Sequence, residues 1–228
     1  MKKIIALLLG MLLIVTPLAG CGKGQSKLLN FTTPKSGDKV AVISTSMGDI
    51  KVMLFPSVAP KAVENFVTHS DKGYYDNMIF HRVISGFMIQ TGDPQGTGYG
   101  GESIWGTPFK NEISENARNF RGALAMANSG TTSSNGSQFY IVQAGTAGLS
   151  DSTLSRAAAQ SGMAMSDEAK AKYKQVGGAP WLDGGYTVFG QVVSGMDVVD
   201  KIAAVKTDSN DKPVEDVKLI KITVSTVK

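Results

Sequence analysis

Beyond residue 38 the chain alternates between apolar and polar positions in short runs. Residues 39–45 (KVAVIST) and 49–55 (DIKVMLF) flank Met47-Gly48-Asp49 and predict a β-hairpin. Behind Pro60, the apolar residues Ala62, Val63, Phe66 and Val67 recur at helical spacing, predicting a helix that ends near Gly73. Residues 78–84 and 87–91 read as strands, followed by a glycine-rich loop over 92–106. Residues 121–127, 138–142 and 187–193 are again short strands, 196–205 is a second helix, and 217–224 closes with alternation. No internal repeat occurs. Many short strands, two helices and no βαβ rhythm predict a mainly β chain, folded as a closed antiparallel barrel with helices at its ends.

Two segments depart from this pattern. Over residues 143–179 the composition shifts to Ala, Ser, Gln and Lys. Ser166 followed by Asp167 and Glu168 has the character of an N-cap with acids in the first turn, and Gly177-Gly178 that of a stop. One or two short helices are expected there, forming a surface insertion at about 144–179. At the N-terminus, Lys2 and Lys3 precede an uncharged apolar run over 4–15. That run is shorter than the ~20 residues of a membrane span and has the length of a signal-peptide core. Leu18-Ala19-Gly20-Cys21 after Pro17 resembles a bacterial lipobox, and Cys21 is the only cysteine. The expected organisation is a signal peptide over 1–20, a lipidated Cys21 with a polar tether over 21–37, and a folded domain over 38–228. Leu28, Leu29 and Phe31 are the tether residues able to dock. Firm anchoring needs more than one acyl chain, so a multiply acylated cysteine is expected. The chain would then sit on the extracytoplasmic face of a cell membrane.

Charge and composition narrow the function. Lys and Arg number 23 against 19 Asp and Glu, and 21 against 19 without Lys2 and Lys3, which is no footprint for nucleic acid. One cysteine excludes an internal disulfide framework and a cysteine-built metal site, and two histidines argue against a histidine-rich one. Gly96-Thr97-Gly98-Tyr99-Gly100-Gly101 matches G-x-G-x-x-G. No helix pattern follows it, so it reads as a surface loop and not a dinucleotide site. P-loop, zincin and nucleophile-elbow motifs are absent. His81, in an apolar strand pattern, is expected to be a hydrogen-bonded structural residue, and His69 a solvated cation near a helix end. If 78–84 is one strand, Phe80, Arg82 and Ile84 share a face. Arg82 is then either a rim ion-pair partner or a fixed guanidinium beside an apolar pocket.

The run from Phe80-His81-Arg82-Val83-Ile84 through Gly86-Phe87-Met88-Ile89-Gln90 to Gly92-Asp93 resembles the cyclophilin signature. So do Met126-Ala127-Asn128 with Asn135-Gly136-Ser137-Gln138-Phe139-Tyr140, and Trp181-Leu182-Asp183-Gly184 with Val188-Phe189-Gly190. The blocks keep the family's order over roughly residues 39–224, interrupted by the insertion. The resemblance implies a closed eight-stranded antiparallel barrel capped by two helices, and peptidyl-prolyl cis-trans isomerase activity without cofactor, metal or covalent intermediate. It implies Arg82 as the catalytic residue and a proline pocket of Phe87, Met88, Tyr140 and Leu182. Gln90, Ala127, Asn128 and Gln138 line the peptide groove, Gly98 lies in the glycine loop beside it, and Trp181 stands at its edge. Tyr140 stands where the family usually has Phe, and Tyr186 takes the place of a frequent pocket His. The implied partners are proline-containing polypeptides, newly translocated ones for an anchored enzyme, and cyclosporin-type ligands. The rival reading is a binding module that uses the same barrel as a holdase or scaffold; an extracytoplasmic hydrolase lacks a recognisable triad.

Overall fold

The computed structural model describes residues 28–228. The predicted signal peptide, the Cys21 acceptor and tether residues 22–27 lie outside the described residues.

β1 (Lys39–Thr45) and β2 (Gly48–Leu54) form the expected hairpin, in register from Val40↔Met53 to Thr45↔Gly48. Thr45 Oγ1 closes the turn by donating to Gly48 O at 2.7 Å and accepting from Met47 N at 3.1 Å. Gly48 adopts φ +129°, and a Cβ there would approach the Val198 side chain to 2.9 Å, so both conformation and space require glycine. α1 (Pro60–Asp71) starts on Pro60 and has no side-chain cap of its own. The carboxylate of Glu112 supplies one, accepting from Lys61 N at 3.1 Å and Ala62 N at 2.9 Å. Ala62, Val63 and Phe66 face the core, as their spacing predicted.

β3 (Met78–Ile79), β4 (Arg82–Ile84), β5 (Met88–Thr91), β6 (Ala123–Met126), β7 (Phe139–Val142), β8 (Val188–Ser194) and β9 (Lys218–Thr226) complete the sheet. α4 (Met196–Ala203) buries Val198, Val199 and Ile202. The sheet is antiparallel in the order β3-β9-β1-β2-β8-β6-β7-β5-β4. Its two terminal strands, β3 and β4, are halves of the run predicted as one strand over 78–84. β3 pairs with β9 and β4 with β5, so Phe80 and His81 bridge the seam and close an eight-segment barrel.

The break at the seam corrects one expectation. Phe80 and Arg82 do not share a face: Phe80 is buried in the core and Arg82 points outward. The backbone leaves β9 after Phe80 N donates to Val217 O at 2.9 Å. It is next held at Val83, whose N–H donates to Asp211 O at 2.8 Å. Strand alternation is lost between those two points.

Inside the barrel lies a core that includes Ile43, Val52, Phe66, Ile89, Leu124, Phe139, Ile141 and Phe189. A second apolar cluster covers part of the outer face, with Met88, Ala125, Tyr140, Val142 and Val188. Strand alternation explains both: Ile89 and Ile141 point in, Met88 and Tyr140 point out.

The insertion contains two helices, α2 (Asp151–Ser161) and α3 (Asp167–Val176), capped by Ser150 and Ser166 as their sequence suggests. It is not the surface appendage the composition implies. Leu154, Ala169 and Tyr173 are fully buried in a third cluster with Leu28 and Phe120. The Tyr173 and Phe120 rings lie 4.1 Å apart. Its C-terminal end is stitched to residues 119–121, by Arg121 N donating to Gly177 O at 3.1 Å and Ala179 N donating to Asn119 O at 2.8 Å. Leu28 closes this cluster, so the folded part begins at least ten residues earlier than the boundary expected at 38. Asn30, buried, donates to Arg118 O at 3.0 Å and Gln191 Oε1 at 2.7 Å and accepts from Arg118 N at 3.0 Å. A polar tether cannot continue through such a residue.

Candidate active site

Register builds the site. Arg82 lies opposite Gln90, Gln90 opposite Tyr140, and Tyr140 opposite Ala125. These four residues form one row across β4, β5, β7 and β6, on the outer face of the barrel. A cleft of about 820 Å³ opens over that row, lined among others by Arg82, Phe87, Met88, Tyr140, Leu182 and Tyr186. A smaller cavity of about 310 Å³ adjoins it and shares Gln90, Gly98, Tyr99, Ala127 and Asn128 with it. The two form one continuous groove with a mixed polar and apolar lining.

The predicted site residues come together with one exception. Trp181 is half-exposed and does not itself line the cleft, but its ring lies 5.8 Å from that of Phe87, which does. Gln138 lines the smaller cavity only. The Tyr140 hydroxyl finds a buried partner, donating to Asn119 Oδ1 at 2.8 Å. Burial, with Tyr186 and Asp183 nearby, pushes its pKa well above the usual phenol value, so the hydroxyl stays protonated. The Tyr186 ring meets Tyr140 edge-on at 5.8 Å.

Polar contacts hold the groove's second wall. Gln90 Nε2 donates to Gln138 Oε1 at 2.8 Å, and Gln138 Nε2 donates to Gly98 O at 3.0 Å and Gly100 O at 2.8 Å. Asn128 Nδ2 donates to Gly185 O at 2.9 Å, tying the wall to the loop before β8. The glycine loop folds around the buried Asp93 carboxylate. Oδ2 accepts from Thr97 N at 2.9 Å, Gly98 N at 2.7 Å and Gly100 N at 3.3 Å, and Oδ1 from Gln95 N at 2.8 Å. Burial alone would raise the Asp93 pKa; these backbone donors outweigh it and hold the group below the usual carboxylate value. The G-x-G-x-x-G run is therefore a loop templated by a carboxylate, which already occupies the Thr97, Gly98 and Gly100 N–H donors. A Cβ at Gly100 would sit 2.3 Å from Asp93 Oδ1, so the wrap needs glycine.

Both histidines differ from expectation. His69 is buried, not a solvated cation: Nε2 lies 2.9 Å from Glu102 O, and its ring stacks 4.0 Å from Tyr74. Burial pushes its pKa down. His81 lines the cleft and is buried, and among the described residues neither of its ring nitrogens has a hydrogen-bond partner. It is not the hydrogen-bonded residue expected, because the strand break at the seam turns its ring into the cleft wall, where no donor or acceptor of the described residues meets it. Neither imidazole is hydrogen-bonded to a hydroxyl that it could activate, as a hydrolase would need.

Sequence reasoning missed the rim. Asp208, Asn210, Asp211 and Lys212, in the loop after α4, also line the cleft. Nothing in a run of loop-type residues signals which groove it will border. Asp93, directly before the glycine run, was a legible signal for the loop's template.

A guanidinium over an apolar floor, with polar groups along one wall, can bind an extended peptide around a compact apolar ring. Among the described residues no group of three or more His, Cys, Asp and Glu could hold a metal ion.

Residues 40–224 match the family model described as cyclophilin type peptidyl-prolyl cis-trans isomerase/CLD. A protein of Staphylococcus saprophyticus provisionally named a peptidyl-prolyl cis-trans isomerase is 47% identical over 193 residues, covering 84% of this chain and 95% of its own length. A similarly named Staphylococcus aureus protein is 48% identical over 190 residues, covering 83% of this chain and 93% of its own. The crystal structure of a Cryptosporidium parvum cyclophilin type peptidyl-prolyl cis-trans isomerase superposes with a TM-score of 0.67 at 33% identity, covering 84% of this chain and 99% of that one. The same protein in the presence of the dipeptide Ala-Pro gives 0.65 at 34% identity, covering 82% and 99%.

Proposed function

The chain belongs to the cyclophilin-type peptidyl-prolyl cis-trans isomerase family, and from that premise we propose that it isomerises X–Pro bonds of newly translocated proteins, held at the extracytoplasmic membrane face by a lipid on Cys21. The observation that carries the assignment of the site is the single row Arg82, Gln90, Tyr140 beneath an open cleft. The relative crystallised in the presence of Ala-Pro supports a proline-containing ligand.

Amide resonance sets a barrier of ~18–20 kcal/mol to rotation. Uncatalysed X–Pro exchange takes on the order of tens to hundreds of seconds. No bond breaks, so catalysis requires only that the twisted amide bind better than either planar isomer. Phe87, Met88, Tyr140, Leu182 and Tyr186 enclose the proline ring. Gln90, Gly98, Ala127, Asn128 and Gln138 hold the flanking backbone along the second wall. In the twisted state the prolyl nitrogen regains a lone pair, and the Arg82 guanidinium donates to it. Arginine suits that task because it is always charged and presents a rigid fork of donors. The short apolar run and the lipobox-like Leu18–Cys21 sequence support the anchor.

Exchange NMR on a short proline peptide tests the site, because it reads binding and isomerisation together. Arg82→Ala is expected to lower turnover about 10²–10³-fold while changing binding far less, by analogy with losing one oxyanion-hole donor. Arg82→Lys restores little, since it loses the planar fork. Turnover near wild type in Arg82→Ala would reject the role and favour a binding module. Fatty-acid labelling of wild type and Cys21→Ala tests the anchor: labelling is expected only in the wild type, and equal labelling sinks it.

A further inference from the structure

We infer that Tyr173, in the second helix of the insertion, is a positioning residue for the proline pocket: it sets the floor residue Tyr140 through Asp183 and Asn119. This rests on the reading of the cleft as the isomerase site. Arg118 and Asp183 form an ion pair at 3.0 Å, with side chains only 2% and 1% exposed. A buried carboxylate with so little solvent requires a full set of donors. Tyr173 supplies one, its hydroxyl lying 2.9 Å from Oδ1 and 2.8 Å from Oδ2. Asn119 supplies two, its backbone N–H at 2.9 Å and its Nδ2 at 3.2 Å, both to Oδ1. Arg118 also donates to Ala164 O, in the link between α2 and α3.

The direction of this network is fixed by chemistry. An ionised carboxylate only accepts hydrogen bonds, so Asn119 must turn its Nδ2 toward Asp183. Its Oδ1 then faces Tyr140 and can only accept. The Tyr140 hydroxyl is thereby held as a donor at 2.8 Å, and the ring that floors the cleft is locked in place. Leu182, beside Asp183 in sequence, lines the same cleft. Two of the features in which this chain departs from the family pattern, the insertion and the Tyr140 hydroxyl, thus meet at opposite ends of one buried network.

The test is a double-mutant cycle on the full chain, with KM and kcat read on a short proline peptide. Tyr173→Phe removes one hydroxyl and keeps the ring that packs on Phe120. It is expected to raise KM about three- to tenfold with little change in kcat, because the floor grips the ring in ground and transition states alike. In a Tyr140→Phe background, where the relay has lost its far end, the same substitution should raise KM no further. Leu154→Ala, in the same buried cluster without a polar link to the pocket, should lower the melting temperature and leave KM unchanged. Unchanged KM in Tyr173→Phe, an equal rise in both backgrounds, or an equal rise in Leu154→Ala would each overturn the inference. If Tyr173→Phe does not fold, Arg118→Lys takes its place in the cycle with the same expectations, since it keeps a cation on Asp183 and gives up the fork to Ala164. Arg82→Ala, run in parallel, separates the two readings: wild-type turnover there rejects the site itself, whereas lost turnover with an additive cycle rejects the relay alone.

Discussion

Arg82 and Asp211 form an ion pair across the rim of the cleft, Nε to Oδ2 at 3.6 Å, with side chains 44% and 43% exposed. Asp211 holds a left-handed φ of +63°, and its carbonyl accepts from Val83 N at 2.8 Å, which clips the loop after α4 to β4. The pair orients one edge of the guanidinium and leaves the rest of it facing the cleft. An exposed pair of this kind contributes about 0–1 kcal/mol. The expected result for Asp211→Asn, which tolerates the left-handed backbone, is a stability change below about 1 kcal/mol and kcat/KM within about threefold of wild type. Denaturant unfolding and peptide kinetics measure both. A collapse of kcat would mean that Asp211 acts on the reacting bond through Arg82.

The insertion should be indispensable to the fold. Tyr173→Ala is expected to cost about 3–5 kcal/mol, the range for truncating a large buried aromatic. Replacing residues 144–178 with a short Gly-Ser linker uncovers Leu28 and Phe120 and leaves the Arg118–Asp183 pair without Tyr173 and Ala164. Thermal melting of the trimmed chain should give a much lower midpoint or no cooperative transition. A midpoint within a few degrees of the parent's would restore the surface-appendage reading.

Asp93 should govern the glycine loop. Asp93→Ala strands the backbone donors of Gln95, Thr97, Gly98 and Gly100, at about 1–3 kcal/mol for a lost charge-assisted acceptor. Amide hydrogen exchange over residues 95–100 should accelerate and peptide KM should rise, with kcat less affected. Unchanged protection across that segment would show that Gln138 alone holds the loop.

Acid should destabilise the protein through its histidines. Burial is the main cause that lowers the His81 pKa; Asp93 and nearby Gln138 oppose it, while Arg82 and Lys212 reinforce it. His69 is lowered as well, again chiefly by burial. Where the folded pKa lies below the unfolded one, the unfolded chain binds more protons between the two values. Stability is therefore full above about pH 6.5 and is lost as pH falls from there through the folded pKa. Asp93, also lowered, adds its own loss below about pH 4. The melting temperature should fall between about pH 7 and 5, and the His81 ring signals should still report a neutral imidazole below pH 6.5. Titration of His81 at or above its ordinary value would exclude a buried neutral ring.

Local pattern and sequence blocks carried most of this protein. The hairpin over β1 and β2, the helix behind Pro60, the caps at Ser166 and Gly177 and the strands β5 and β7 are short-range consequences of residue type, and they stand where the sequence pattern put them. The ordered family blocks named Arg82, Gln90 and Tyr140, which register then placed in one row. Tertiary structure decided the rest. The seam at Phe80 and His81 exists because one run must pair with β9 and then with β5, which no local window contains. The α1 cap comes from Glu112, the burial of His69 from Glu102 and Tyr74, and the Arg82 partner from the loop at Asp211. Composition made the insertion look solvated, because Ala and Ser dominate it, yet Leu154, Ala169 and Tyr173 carry it into the core. Periodicity reports how a residue relates to its neighbours within a few turns. A buried carboxylate such as Asp183 acquires its meaning from donors at Arg118, Asn119 and Tyr173, and only the folded chain brings those together.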